Sequence, residues 1–386
     1  MTALKIGILE TIVTPAGHEV EFDKILVDGI KKAGHTPIFT VPERFPFKMD
    51  YGAEIKYLTG GEAISYAGVG KLKKLWLSLQ RERRRIAWFN SAHELANHGD
   101  IDTVLVPTCS WRSLRSLRNS KLVNSTVPVV CILHGIMPSD RERVIREAQS
   151  LKEYKNIHIA ILGPSECHPS LLVTPNVHSI LGPVYTPSLI DEIPRFNPQR
   201  PLRLGFFGQY RKEKNLEFFL EGYKAAQFSV PVELLVQGAT MTIEDGEDFD
   251  RIACAYASLP GIKFLHKNLI GAEWQRTLMN CDVVLLPYGA ERYLYQPSAM
   301  LFTAIGYQKV VLQSPELNPE IIKAFTIGDI VPLSDVTAFT SMLQNFVNTF
   351  YDKADEYKQG LEDANKYFSQ EKLIQSLLCI MEEKNK

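Results

Sequence analysis

Short, mainly apolar segments recur along the chain, and most are followed by a polar loop and a stretch with helical periodicity. In the segment 283–286 every residue is apolar, and Pro287 ends it. A strand that is apolar at every position is buried on both faces, which is typical of a parallel sheet covered by helices. The other segments of this kind are 6–9, 38–41, 102–106, 127–133, 157–162, 177–181, 202–207, 232–236, 262–265 and 310–312. The pattern predicts an α/β protein with doubly wound parallel sheets.

The strand pattern runs twice, on either side of a segment rich in proline. Residues 183–202 contain five prolines, and the chain of 386 residues is long enough for two domains. We expect residues 45–70 to be irregular. We predict an N-terminal domain at 1–190, a linker at 191–201, a second domain at 202–365 and a C-terminal helix at 366–386 that packs back toward the N-terminal domain.

Composition excludes several classes of function. The formal net charge is −1, which gives no general electrostatic attraction for nucleic acid. The six cysteines form no CxxC pair, so we expect reduced thiols rather than disulfides or a metal site. The N-terminus begins with a strand rather than a signal peptide, and no apolar run approaches the ~18 residues of a membrane span. We therefore expect a cytoplasmic protein without a metal cofactor.

The segment 71–85 is strongly basic and has helical periodicity. It contains seven lysines and arginines and a single acid, Glu82. One interpretation is a helix that lies on an anionic membrane surface, at the inner face of the membrane, or that binds an acidic acceptor. The other is an amphipathic helix that packs on the sheet and exposes a solvated basic face. Arg112, Arg115 and Arg118 have helical spacing and could extend the same patch.

Polar residues follow two of the predicted strands at the edge where parallel sheets bind ligands. After 283–286, a polar loop leads to a helix that starts at Ser298, and the free N–H groups of Ser298, Ala299 and Met300 could bind phosphate. The alternative is an ordinary βα unit whose loop is polar but binds no ligand, which explains the same pattern. His134 follows the segment 127–133 directly, which favours a functional role for it. Gly17 lies in the turn after the first strand.

The second half of the chain resembles the family 4 glycosyltransferases, which have the GT-B fold. The stretch from Gly208 to Lys214-Asn215 is similar to the donor-phosphate loop G-x-x-x-x-x-K-[GN] of that family. A bacterial subset has a further pattern, P-Y…Y…S-G…A…P-V. It is matched by Pro287-Tyr288, Tyr293, Pro297-Ser298-Ala299, Ala304 and Val310-Val311. The resemblance implies two Rossmann-like domains that face a central cleft, with C-terminal helices.

The resemblance also implies roles for individual residues. Arg211 and Lys214 would neutralise the leaving diphosphate of a nucleotide sugar without a metal, although a solvated turn is the alternative. By the same resemblance Asn268 begins the base-binding loop, and Gly208 with residues 298–300 lies at the phosphates. Glu291, Tyr293 and Tyr295 would contact the donor sugar, His134 would lie near the reacting sugar carbon, and Gly17 under the diphosphate.

The chain departs from the family pattern at three positions, one of them in two respects. Ala299 stands where the second glutamate of E-x7-E is expected and where the subset has glycine, Gln209 replaces an arginine, and Val310 a proline. The sequence still favours a metal-independent, retaining glycosyltransferase that moves a hexose or deoxyhexose to a glycan or lipid-linked acceptor. Two alternatives remain. One is a degenerate GT-B subunit that stabilises a partner enzyme, and the other is a nucleotide-sugar epimerase, for which the sequence shows no pair of acid/base carboxylates.

Overall fold

The computed structural model describes residues 3–12, 18–64, 71–163, 169–189 and 196–382, without the side chains of 18, 71–75, 169 and 291. Contacts divide the chain into two compact units. The first is Met1–Gly182 together with Gln370–Lys386, and the second is Pro183–Ser369. Among the described helices, none combines the length and the apolar composition needed to cross a bilayer.

Within its described residues, the first unit has a parallel sheet of seven strands. They are β1 (Lys5–Leu9), β2 (Thr36–Pro42), β3 (Glu54–Leu58), β4 (Thr103–Val106), β5 (Val129–Leu133), β6 (Ile157–Leu162) and β7 (Val177–Ile180). Their order across the sheet is β3-β2-β1-β4-β5-β6-β7, and each neighbouring pair is parallel. The central strands are buried along their length, as their apolar composition predicts.

Helices connect the strands of the first unit. They are α1 (His18–Lys32), α2 (Lys71–Asn97), α3 (Trp111–Arg118), α4 (Pro138–Leu151) and α5 (Pro169–Leu172). The C-terminal half of α2 buries Trp88, Phe89 and Ala92 in the core. Nearer its N-terminus, Trp76 and Leu79 are 60% and 63% exposed, so this part of the predicted apolar face does not pack on the sheet.

The strand β3 corrects the expectation that residues 45–70 are irregular. It pairs with β2 at the edge of the sheet, where Ile38 lies opposite Glu54 and Pro42 opposite Leu58. Only Leu58 is fully buried, because an edge strand has one neighbour and little cover. Because Glu54 and Lys56 are polar, this strand contains no continuous apolar run and could not be predicted from one.

The second unit also contains a parallel sheet, with six described strands. They are β8 (Leu202–Phe206), β9 (Val232–Gly238), β10 (Ile262–His266), β11 (Val283–Leu286), β12 (Val310–Gln313) and β13 (Gly328–Ile330), in the order β10-β9-β8-β11-β12-β13. All neighbouring pairs are parallel. The helices are α6 (Leu216–Ala225), α7 (Ile243–Tyr256), α8 (Gly271–Met279), α9 (Ala299–Gly306), α10 (Pro319–Phe325), α11 (Val336–Asn348) and α12 (Ala354–Tyr367).

The last helix, α13 (Gln370–Glu382), belongs to the first unit and packs on α1. Gly29 of α1 allows this approach, because a β-carbon there would lie 2.4 Å from Cγ1 of Ile374.

The division of the chain differs from the predicted linker at 191–201. The second unit already begins at Pro183, and its segment 183–189 is bound within that unit: the N–H of Val184 donates to the carbonyl of Phe368 at 2.9 Å. At the other end of the proline-rich segment, Arg200 forms an ion pair with buried Asp282. The prolines favour extended backbone, and these contacts fix the described parts of that backbone to the second sheet and its helices.

Candidate functional site

The second sheet has a topological switch point between its two central strands, β8 and β11. From β8 the chain runs outward to β9 and β10, whereas from β11 it runs to β12 and β13 on the other side. In open parallel sheets, the loops that leave the carboxyl ends of two such strands diverge and form a crevice for ligands. Here those loops are residues 207–215, which lead into α6, and 287–298, which lead into α9.

The loop after β8 is held in place by Gln237. The N–H of Gly208 donates to Oε1 of Gln237 at 2.9 Å, and Nε2 of Gln237 donates to the carbonyl of Lys267 at 2.5 Å. Gly208 has a φ of +93°, a conformation that glycine adopts without strain. A β-carbon at residue 208 would lie 3.6 Å from Nζ of Lys214, so this backbone lies next to that ammonium.

Lys214 is buried, with 6% of its surface exposed. Its Nζ donates to the carbonyl of Phe207 at 3.4 Å and lies 4.7 Å from the ring centroid of Tyr288. Burial lowers the pKa of Lys214 to about 7, and the positive charges of Arg211 and Arg292 add to the effect. An anion bound beside Nζ would oppose both causes, so this ammonium is suited to respond to a phosphate.

Two arginines and a glutamate surround Lys214. Oε1 of Glu213 lies 3.0 Å from Nη2 of Arg292 and 3.6 Å from Nη1 of Arg211. Arg292 comes from the loop after β11, so this carboxylate connects the two loops of the switch point. The cluster contains three cationic side chains and one anionic side chain, and it therefore favours an anionic ligand.

The N-terminus of α9 lies beside the same cluster. A β-carbon at Gly208 would be 3.8 Å from both Cγ and Sδ of Met300, the second residue of the helix. Ser298 precedes the helix and is buried, while Ala299 and Met300 are half-buried. The first N–H groups of a helix lack partners within the helix and carry its partial positive charge. The structure thus brings together the predicted residues Gly208, Lys214 and Met300.

Other predicted donor residues occupy different surroundings. Tyr293 is buried, its ring lies 4.9 Å from that of Tyr288, and its hydroxyl accepts a hydrogen bond from Arg292. These contacts hold the loop between β11 and α9, and the contact of Tyr293 with a donor sugar stays a prediction. Tyr295 is half-buried at the end of a 3₁₀ turn. Asn268 is exposed after β10, and β9 separates that strand from β8.

Of three further predicted residues, one lies in the first unit, one has no described side chain and one lies outside the described part of the chain. His134 follows β5 in the first unit, where its Nε2 donates to the carbonyl of Pro107 at 2.8 Å and its ring lies 4.7 Å from that of Phe22. The backbone of Glu291 begins a 3₁₀ turn, but its side chain is not among those described. Gly17 lies outside the described residues.

Sequence reasoning did not assign roles to Glu213, Gln237 and Arg292. Gln237 leaves a signal in the sequence, because it is an amide at the end of the apolar run Leu234–Val236 of a buried strand. A buried side-chain amide must be hydrogen-bonded, and in a strand end it can bind neighbouring loops. Glu213 and Arg292 leave no such signal, since isolated charges in loops are usually solvated.

Comparisons with known proteins bear on the fold. No family model and no curated protein sequence matches the chain. Among solved structures, HepE of Anabaena, crystallised with UDP and glucose, is 12% identical with a TM-score of 0.66 over 97% of this chain and 98% of that chain. The catalytic domain of starch synthase IV from Arabidopsis thaliana, bound to ADP and acarbose, is 11% identical with a TM-score of 0.69 over 99% of each chain. Sucrose-phosphate synthase from Thermosynechococcus elongatus is 12% identical with a TM-score of 0.63 over 98% of each chain.

The chain has the two-domain GT-B fold. The prediction of two Rossmann-like domains with parallel sheets is therefore confirmed. At 11–13% identity the similarity concerns the fold, and it assigns no role to individual residues. The roles predicted for Lys214, Glu291 and His134 remain predictions.

The hydroxyl of Tyr288 gives a prediction about this site. It is buried under Lys214 without a hydrogen-bond partner among the described residues, which is a costly state for a polar group. We expect Tyr288→Phe to raise the free energy of unfolding by about 1 kcal/mol, measured by urea denaturation. Tyr357→Phe is the matched control and should lower it, because the Tyr357 hydroxyl donates to Oδ2 of Asp329 at 3.2 Å. A less stable Tyr288→Phe variant would mean that the hydroxyl has a partner in solution.

Proposed function

We propose that the protein is a glycosyltransferase that moves a sugar from a nucleotide-sugar donor to a hydroxyl of a glycan or lipid-linked acceptor. The observation that carries the proposal is the cationic cluster of Arg211, Lys214 and Arg292 at the switch point of the second sheet. The N-terminus of α9 lies at the same place. Together they fit the diphosphate of a donor, because they offer positive charge and N–H donors to the oxygens.

The chemistry of the reaction explains why such a cluster is useful. The bond between the anomeric carbon and the phosphate oxygen breaks, the acceptor oxygen bonds to that carbon, and the hydroxyl proton passes to the departing diphosphate or to water. Negative charge develops on the departing diphosphate, and fixed cations stabilise that charge in the transition state. With three cationic side chains supplied by the chain itself, we propose a metal-independent reaction. The proposal that it is retaining, and that the sugar is a hexose or deoxyhexose, rests on the resemblance to family 4.

The structural neighbours support this proposal through their ligands. HepE crystals contain UDP and glucose in one case and UDP-glucose in another, and the starch synthase structure contains ADP. These are nucleoside diphosphates and a nucleotide sugar, the ligand class that the cationic cluster fits. We infer that this chain binds a ligand of the same class in its second unit.

A panel of donors tests the proposal. Purified protein is mixed with UDP-, GDP-, dTDP-, ADP- and CMP-sugars, with and without EDTA, and thermal stability and nucleotide release are measured. We expect one nucleotide class to stabilise the protein and EDTA to have no effect. A ligand present at about 100 times its dissociation constant should add ~2.7 kcal/mol of stability. Absence of binding by every nucleotide would contradict the proposal and favour a degenerate subunit that binds a partner enzyme.

The basic segment 71–85 supports a second part of the proposal, contact with the cytoplasmic face of a membrane. Trp76 and Leu79 are exposed on α2, next to the arginines of the same segment. Exposed apolar side chains beside basic ones match the headgroup region of an anionic bilayer. Sedimentation with phosphatidylglycerol vesicles should exceed that with phosphatidylcholine, and the double variant Trp76→Ser, Leu79→Ser should reduce it. Equal sedimentation of wild type and variant would contradict membrane contact, and Ile243→Ser, at an exposed site of the second unit, serves as the control.

A further inference from the structure

Three arginines surround the ring of Trp111 at the start of α3. The guanidinium carbon atoms of Arg112, Arg115 and Arg143 lie 4.6, 5.1 and 5.1 Å from the centroid of that ring. Any two of them are therefore at most twice 5.1 Å apart. Arg112 and Arg115 belong to α3, whereas Arg143 comes from α4, which packs on α3. We call these four residues the Trp111 cluster.

Among the described residues, ion-paired carboxylates match two of the three charges in the Trp111 cluster. Arg115 forms an ion pair with Glu82 of α2, and Nη1 of Arg143 lies 3.0 Å from Oδ1 of Asp140. Arg112 is exposed and has no carboxylate partner in the described part of the chain. Like charges at these distances repel each other, so the cluster has an excess of positive charge that an anion would reduce.

The place of Arg112 in its helix adds to this excess. It is the second residue of α3, and the first turn of that helix contains no acidic residue. The N-terminus of a helix carries a partial positive charge, which disfavours a cation and favours an anion. Arg118, at the other end of α3, is favourably placed and pairs with the buried Glu147 at 3.3 Å. It therefore does not extend the cluster, although its helical spacing allowed that expectation.

The indole ring of Trp111 positions the guanidinium groups and leaves their hydrogen bonds for a ligand. A guanidinium is attracted to the face of an aromatic ring, and this attraction does not consume the N–H groups that recognise oxyanions in its plane. Arg112 and Arg143 are both exposed, so their N–H groups are accessible. A phosphate has more acceptor oxygens than a carboxylate and can accept hydrogen bonds from several guanidinium groups at once. The cluster thus fits a phosphate.

We propose that the Trp111 cluster binds a phosphate group, with its guanidinium groups donating hydrogen bonds to the phosphate oxygens. Two sources carry this chemistry, the headgroup of an anionic lipid and a soluble phosphate ester. The ion pair of Arg115 with Glu82 connects the cluster to the basic segment of α2, so a lipid headgroup would extend the proposed membrane contact. The site lies within the first unit, and the inference does not depend on a nucleotide binding to the second unit.

The indole N–H of Trp111 reports on this site in the full-length protein. The chain has four tryptophans, and the nitrogen-15 NMR signal of Trp111 is the one that disappears in Trp111→Phe. Phenyl phosphate and, separately, acetate are titrated at pH 7. We expect phenyl phosphate to shift this signal with saturation, and Arg112→Gln and Arg143→Gln each to weaken the binding at least about fivefold. Both side chains are exposed, and Arg143 loses a surface ion pair, so the variants should fold as wild type does.

Arg276→Gln is the matched control for general charge. Arg276 is exposed on α8 of the second unit, and its replacement removes the same charge. This variant should bind phenyl phosphate at the Trp111 cluster as wild type does. The proposal would be overturned by an unchanged Trp111 signal, by equal affinities of wild type and the two cluster variants, or by acetate binding as tightly as phenyl phosphate.

Two further measurements identify the source of the phosphate and separate this inference from the proposed function. Once phenyl phosphate binding is established, weaker sedimentation of Arg112→Gln and Arg143→Gln with phosphatidylglycerol vesicles assigns the phosphate to a lipid headgroup. Unchanged sedimentation assigns it to a soluble ester. If no nucleotide binds while the Trp111 signal responds to phenyl phosphate, the proposed function fails and this site stands. If UDP binds and the Trp111 signal does not respond, this site alone is removed.

Discussion

Replacing Lys214 by methionine should weaken the binding of a nucleoside diphosphate by about 10- to 100-fold. The estimate follows from the loss of a hydrogen bond to a charged group, worth roughly 1.5–3 kcal/mol. Methionine fills a similar volume and removes a buried ammonium, so the fold should be retained. Isothermal calorimetry with the nucleotide selected by the donor panel gives the affinity of each variant.

Lys212→Met is the matched control for this substitution. Lys212 lies in the same 3₁₀ turn, and its side chain is exposed. The substitution likewise replaces a lysine by methionine and should alter the affinity by less than threefold, because exposed charges are screened. Equal losses in the two variants would mean that general charge, rather than the position of Lys214, attracts the nucleotide.

Asp282→Ala should lower the free energy of unfolding by about 3 kcal/mol, the effect of breaking a buried ion pair. Asp282 is 2% exposed, and its two carboxylate oxygens accept bonds of 2.6 and 2.7 Å from the guanidinium of Arg200. It also accepts the N–H of Arg203 at 3.0 Å, so the alanine leaves a partly buried cation and a backbone donor unpaired. For a unit of this size the melting temperature should fall by roughly 6–12 °C.

The exposed pair between Arg203 and Glu233 provides the control. Their atoms are 2.9 Å apart, yet half of the glutamate side chain faces solvent. Glu233→Ala should change stability by less than about 1 kcal/mol, as is usual for surface ion pairs. If Asp282→Ala were equally mild, the segment around Arg200 would behave as a free linker, as its proline content predicts.

The fold was predictable from the sequence wherever burial produces a recognisable pattern of apolar residues. The strand Val283–Leu286 is apolar at every position because both of its faces are covered, and its bounds were predicted correctly. The edge strand Glu54–Leu58 was missed, since an exposed strand needs no apolar run. The attachment of the segment around Arg200 was not apparent from local sequence, because its ion pair with Asp282 connects residues that are 82 positions apart.

The candidate site was predictable in part. The resemblance to the family 4 donor-phosphate loop identified Gly208 and Lys214, the predicted helix start identified Met300, and the structure brings these three together. The burial of Lys214 under Tyr288, and the link through Glu213 to Arg292, depend on how two distant loops meet. Local sequence does not contain that information.

The most direct measurement of the central claim is calorimetry of nucleoside diphosphate binding at pH 8 in two buffers with different ionisation enthalpies, Tris and HEPES. With its pKa lowered to about 7, Lys214 is mostly neutral at this pH and should gain a proton when the diphosphate binds. We predict that the apparent enthalpy differs between the buffers by an amount that corresponds to the uptake of nearly one proton, and that Lys214→Met abolishes the difference. No binding by UDP, GDP or ADP, or binding with the same buffer dependence in wild type and Lys214→Met, would contradict the assignment of this site to the donor diphosphate.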